Sequence, residues 1–281
     1  MVFLVLPGCA KRAVTVGSKN FTEQVILGEI IAQHLEHRLH QPVERRLNLG
    51  GTLLAHQALR AGEIDLYPEY TGTALAAVLK QPAAATPSEV LARVRSTYLR
   101  DFQVEWLNPI GIDNGFAMVV RGQDARSKSL ESLSDSAKVT EGWVLGVGYE
   151  FEQRADGLPA LTKTYGLRWN GRPKSMDLGL LYKALEQGQV NMIAANATDG
   201  LLSKLDLKIL RDDQHAFPPY EVAIAVRQDS FRQTPGLREA LAELSGKFSN
   251  ATMQKLNYQV DGDHRPVGEV AGQFLKSAGL R

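Results

Sequence analysis

The sequence predicts an α/β fold of two lobes, each a mainly parallel sheet flanked by helices, with a cleft between them. Three observations predict it. The first quarter of the chain alternates strand, helix, strand, helix, strand, an order that builds a parallel sheet. A segment of the second half repeats one of the first at a constant offset of 126 residues. In it Ala58-Leu59 aligns with Ala184-Leu185, Gly62 with Gly188, Ile64 with Val190 and Asp65 with Asn191. Finally, 281 residues, 44% of them hydrophobic, suffice for two modest domains.

"AVTVGS" from Ala13 is a β-branched run closed by Gly17 and Ser18, a strand and its turn. Val25, Ile26, Ile30, Ile31 and Leu35 then recur at helical spacing, with Thr22 near the cap. "PVERRLNL" is a second strand, and "GGTLLAHQALRAG" a helix stopped by Gly62. "EIDLY" is a third strand, leading into the loop "PEYTGT". A helix capped by Ser88 or a neighbour comes next, then an extended connection into the strand "FAMVVR". "SLESLSDSAK" is a short helix, "WVLGVGYEF" a strand, and "GLPALTKTYGL" a helix ending near Gly166. "LGLLYKALEQG" and "QVNMIAA" repeat the helix–strand unit, and two helical stretches, from Leu237 and from Pro266, close the chain.

Composition narrows the function classes. A net charge of +1 gives no electrostatic footprint for nucleic acid or an anionic membrane. No run of about eighteen apolar residues is present, so no membrane-spanning helix is expected. His34, His37 and His40 have helical spacing but no Cys or carboxylate companions, and read as the polar face of a helix. "LNLGGTLL" lacks the Lys-Ser/Thr tail of a phosphate loop, and no G-x-S-x-G element occurs. No catalytic set, metal site or cofactor is expected.

In open parallel sheets, ligands bind beyond the carboxyl ends of the strands. The loops at those ends are "SKNFTE", "YPEYTGT", "DNGF", "GYEFEQRADG" and "ANATDG". They carry Lys19, Arg154 and Thr73, which together suit a carboxylate. They, with "FPPY", also carry Tyr67, Tyr70, Phe116 and Tyr220, whose faces attract a quaternary ammonium. Core packing of the tyrosines and pairing of Lys19 and Arg154 with Glu23, Glu150 or Asp156 is the alternative for each residue taken singly. Of the tyrosines, Tyr67 lies nearer the strand and is assigned to packing. Gly72 is read as a place of close backbone approach.

The motifs "VGSKNFTEQVILGEI", "GEIDLYPEYTGTAL", "EFEQRADGLPAL", "ATDG" and "DDQHAFPPYEVAIAVR", in that order, resemble the glycine betaine/carnitine/choline-binding proteins of bacterial osmoprotectant ABC importers. The resemblance implies a type II periplasmic-binding-protein fold. Lobe 1 would hold residues 13–111 and 217–281, lobe 2 the insert 112–216, with crossings near Gly111–Gly115 and Ala216–Tyr220. It implies a carboxylate grip at Lys19, Thr73 and Arg154 and an aromatic cage at Tyr70, Phe116 and Tyr220. The fourth cage position, usually tyrosine in the family, is Asn196 here, and tyrosine is also common at the Phe116 position.

The loop chemistry and the resemblance together imply an extracytoplasmic binding protein, not an enzyme, that hands a quaternary-ammonium solute to an ABC permease and its ATPase. Two other readings stay open: the same fold with another small polar or methylated-amine ligand, because the cage is incomplete at Asn196, and an enzyme or sensory domain on this scaffold. Residues 1–12, "MVFLVLPGCAKR", resemble the tail of a bacterial lipoprotein signal with Cys9 as the lipidated residue. That would place the protein in the periplasm or on the outer face of the cytoplasmic membrane. An irregular terminus with an incidental thiol is the alternative.

Overall fold

The computed structural model of the chain describes residues 13–82 and 86–281. Cys9 lies outside them. Among the described residues, ten strands make two five-stranded sheets: β1 (Val14–Gly17), β2 (Val43–Arg46), β3 (Leu66–Tyr70), β4 (Val104–Trp106), β5 (Phe116–Arg121), β6 (Leu145–Val147), β7 (Lys174–Ser175), β8 (Met192–Asn196), β9 (Leu207–Leu210) and β10 (Val222–Arg227). One sheet has the order β2-β1-β3-β10-β4, the other β7-β6-β8-β5-β9. The two orders correspond position by position. Each sheet has one strand running against the rest, β10 in the first and β5 in the second. These are the first strands formed after the chain passes from one sheet to the other. Each sheet is therefore mixed, parallel apart from that strand.

Both faces of both sheets are apolar and covered, as a mainly parallel sheet requires. Val14, Val16 and Leu66 pack on Ile26, Ile30 and Leu35 of the helix Thr22–Leu39, while Tyr67 and Ala225 join Leu59, Val94 and Tyr98 on the opposite face. In the second sheet, Met118, Leu145 and Met192 form one core, and Val119 and Ile193 another against Leu181 and Leu185.

The internal repeat reappears bond for bond. Gly62 and Gly188 both take a left-handed φ, 73° and 69°. Each lets the chain leave its helix and turn into a strand without a Cβ penalty. The Asp65 carboxylate accepts from Thr15 N at 2.8 Å; the Asn191 side-chain oxygen accepts from Val144 N at 2.9 Å. Arg227 donates to Leu59 O, and Arg121 to Leu185 O.

Several local expectations are corrected. Pro68 does not end the third strand, which runs on through Tyr70. Thr71 N donates to Glu221 O, so in the alternating antiparallel ladder the Pro68–Ile224 pair falls at a non-bonded position. The missing N–H of Pro68 thus faces β1, whose pairing with β3 reaches only Leu66. "TGT" is the first turn of a helix that continues as a π-turn over Ala74–Val78. The strand in "WVLGVGYEF" stops at Val147, and Tyr149–Gln153 is helical. The capping residue of Pro87–Phe102 is Thr86, reciprocated by Glu89. The helix begun at Leu237 ends at Ala242, and Asn250–Asp261 is separate; between them Phe248 N bonds Ile110 O. His34 is not on a polar face: it is buried between Ala240 O and Leu280 O, while His37 and His40 are exposed.

Two segments link the sheets, β4 to β5 and β9 to β10. They run side by side, with Asp113 bridging Glu221 and Asn114 N donating to Tyr220 O at 3.1 Å.

Candidate functional site

A cavity of about 640 Å³ lies between the sheets. Lys19, Tyr70, Thr73, Phe116, Arg154, Asn196 and Tyr220 all line it. They meet because they sit at one edge of the two sheets: Lys19 and Thr73 lie two and three residues past β1 and β3, Tyr70 closes β3, Asn196 closes β8, Phe116 opens β5 directly opposite Asn196, Tyr220 lies two residues before β10, and Arg154 caps the helix Tyr149–Gln153 that follows β6. Tyr67, by contrast, points to the other face of β3 and is fully buried in its core.

The two basic residues already hold carboxylates. Lys19 Nζ is 2.6 Å from Glu69 Oε1, and both side chains are buried. Arg154 binds Asp156 through two hydrogen bonds of 2.9 and 2.6 Å and donates to Thr73 Oγ1 at 3.0 Å. Asp156 also accepts the Tyr220 hydroxyl at 2.7 Å. Burial acts against the Arg154 charge, but Asp156, Tyr220 and Glu150 outweigh it and keep the guanidinium ionised.

The same cations sit at the aromatic rings. Lys19 Nζ is 4.6 Å from the Tyr70 centroid, and the Arg154 guanidinium 5.2 Å from Phe116 and 5.8 Å from Tyr220. Phe151 meets Phe116 edge-on at 4.7 Å, and Phe21 stacks on Tyr70 at 6.2 Å. Phe21 and Phe151 both line the cavity and enlarge its aromatic wall. Tyr149, 58% exposed, stands at its mouth.

A second wall is acidic. Glu23 is buried and accepts from Tyr70 Oη at 2.7 Å, Asn114 Nδ2 at 2.9 Å and the Thr198 hydroxyl. Burial pushes its carboxyl up, against the pull of the Thr198, Tyr70, Asn114 and Asn257 hydrogen bonds. Asp199 accepts from Tyr182 Oη at 2.8 Å and Asn196 N at 3.1 Å. Burial raises it to about 6, opposed by those two bonds. Among the described residues no Lys or Arg pairs with Glu23 or Asp199 within ion-pair distance.

Hydrogen bonds tie the two sheets across the cavity. Besides Arg154–Thr73 and Thr198–Glu23, Glu150 accepts from Thr52 N at 2.7 Å at the start of the helix Thr52–Ala61. Gly51 makes room for that carboxylate, since a Cβ there would lie 2.4 Å from Glu150 Oε1. Gly72 likewise admits Pro219 and Tyr220, whose nearest atoms would be 2.5 and 2.8 Å from an added Cβ. Among the described residues no cluster of three or more His, Cys, Asp or Glu could hold a metal, and no helix is long and apolar enough to cross a membrane.

Sequence reasoning missed Glu69, Asp199 and Asn257 as parts of this site. The signal for Glu69 was its alternation with Tyr70 in β3, which sends it to the face opposite Tyr70. Asp199 was visible only as part of "TDG".

The sequence profile of the substrate-binding domain of ABC-type glycine betaine transport systems matches residues 12–277. The ergothioneine transport permease/ergothioneine binding protein EgtU of Helicobacter pylori is 34% identical over 271 residues, 96% of this chain but 48% of that protein. This chain thus spans about half the length of that relative. The carnitine transport binding protein OpuCC of Listeria monocytogenes is 33% identical, with 96% of this chain and 88% of OpuCC aligned. A glycine betaine/carnitine/choline ABC transporter crystal structure superposes with a TM-score of 0.79 at 30% identity, covering 95% of this chain and 99% of its own.

Proposed function

The chain belongs to the substrate-binding domains of ABC-type glycine betaine transport systems, and from that membership we propose that its cavity captures a quaternary-ammonium solute for import. One observation carries the reading. Tyr70, Phe116 and Tyr220 meet in one cavity, and each ring lies within 6 Å of a cation of the protein itself. Faces that attract ammonium and guanidinium also attract a trimethylammonium group, with about 1 kcal/mol or more per ring. Thr73 and Arg154 supply donors for a carboxylate at the other end of such a zwitterion. Lys19, turned to Glu69, contributes charge more than a free donor.

The paired linkers at Asp113 and Glu221 serve as the hinge between lobe 1, residues 13–111 and 217–281, and lobe 2, residues 112–216. Cross-cavity bonds such as Arg154–Thr73 hold the closed form. The protein works outside the cytoplasm, releases its ligand unchanged to a permease driven by an ATPase, and is held at the membrane through Cys9. Relatives named for ergothioneine and for carnitine share the betaine headgroup, which is the chemistry proposed here. Mass spectrometry of small molecules released on denaturing the purified protein tests the reading. A trimethylammonium compound at near-stoichiometric amount supports it; an amino acid or sugar without a quaternary nitrogen overturns it.

A further inference from the structure

The charges around the cavity do not balance. Lys19 is matched by Glu69 and Arg154 by Asp156, whereas Glu23 and Asp199 have no basic partner among the described residues. The two carboxylates differ in how far they are satisfied. Two bonds fall on Glu23 Oε1 and one on Oε2; two fall on Asp199 Oδ2, and Oδ1 has only the Asn196 amide at 3.4 Å. A carboxylate offers about four acceptor sites; the Asn257 amide is a fourth donor to Glu23, so Asp199 is the one that retains a free site.

Another acceptor points the same way. Asn257 lines the cavity at 2% exposure, its Nδ2 donates to Thr198 O at 2.8 Å, and its Oδ1 has no partner. A buried acceptor left without a donor has lost its hydration without replacement, so such a group calls for a ligand. Size agrees. A volume of about 640 Å³ is in the range that holds drug-sized molecules, and a betaine of glycine size would fill only a corner.

We propose that Asp199 and Asn257, beside the buried Glu23, form a second recognition subsite, which accepts N–H groups of the ligand beyond its ammonium head. The preferred ligand is then a betaine with an N–H-bearing heterocycle or amide side chain, rather than a bare alkyl betaine. This rests on the quaternary-ammonium reading of the cavity. Asn196 belongs to the same wall: through Asp199 it orients an acceptor where a fourth ring would have been apolar.

The test compares three ligands by titration calorimetry: glycine betaine, histidine betaine and phenylalanine betaine. The last two differ chiefly in the ring N–H. The wild-type protein should bind histidine betaine about tenfold or more tighter than phenylalanine betaine, the scale of one hydrogen bond to a charged acceptor. In Asp199→Asn and Asn257→Leu, checked for folding by thermal melting, that ratio should fall toward unity. Equal binding of the two aromatic betaines by the wild type, with glycine betaine also bound, overturns the subsite alone. Binding of none of the three overturns the quaternary-ammonium reading and this proposal with it.

Discussion

Glu69 accepts Lys19 Nζ at 2.6 Å beneath the ring of Tyr70, with both charged side chains out of solvent. The pair fixes the lysine below the cavity wall. Truncating one member leaves the other charge buried and unpaired, which costs about 3–5 kcal/mol. Glu69→Ala should therefore lower unfolding stability by about 3 kcal/mol in urea denaturation. The double variant Glu69→Leu/Lys19→Met should recover most of the loss.

Arg154 is the sharpest test of the carboxylate grip. Arg154→Ala should weaken glycine betaine or carnitine by about ten- to a hundredfold, as expected for lost charge-assisted bonds. Choline has no carboxylate and should lose much less. Equal losses for all three would assign Arg154 to folding around Asp156 instead.

Asn196 stands opposite Phe116 across the β5–β8 pair. Asn196→Tyr would add an aromatic face there. Affinity for a simple trimethylammonium ligand should rise about fivefold, equivalent to ~1 kcal/mol. Comparative calorimetry on the two proteins reads this directly.

Gly72 should tolerate no side chain. An added Cβ would lie 2.5 Å from Pro219 O and 2.8 Å from the Tyr220 ring. Gly72→Ala is expected to cost about 1–3 kcal/mol of stability and to weaken ligand binding by shifting Tyr220. Thermal melting and calorimetry give the two effects separately.

The acidic wall should make stability depend on pH. Burial raises Asp199 from an ordinary 3.8 to about 6, so between these values the folded chain binds the proton more than the unfolded chain does. Stability therefore falls as pH rises from about 4 to about 6, and levels off above. Asp199→Asn should flatten that decline. A residual slope of the same sign should remain from Glu23, which burial also raises. Denaturation midpoints across this window provide the check.

Much of this was legible in the sequence because it depends on local chemistry. Gly62 and Gly188 announce helix ends, and the Asp65–Asn191 correspondence marks the same turn in both sheets. The seven expected site residues reach one cavity because the loops at that edge of the two sheets converge there, Arg154 by way of the short helix after β6. What escaped depended on three-dimensional partners. Pro68 hid the length of β3, since its tolerance rests on the ladder phase against β10. Glu69 and Asp199 resemble ordinary acids until their burial is known. His34 reads as polar periodicity, yet two carbonyls from distant segments make it a core residue.

The central claim is that aromatic faces in this cavity bind a quaternary ammonium. Calorimetric titration of the wild type and Tyr70→Leu with glycine betaine, carnitine and choline tests it most directly, with circular dichroism confirming that the variant folds. Saturable binding of at least one ligand by the wild type, weakened tenfold or more in the variant, is the predicted result. No binding of any of the three by the wild type, or undiminished affinity in folded Tyr70→Leu, would contradict it.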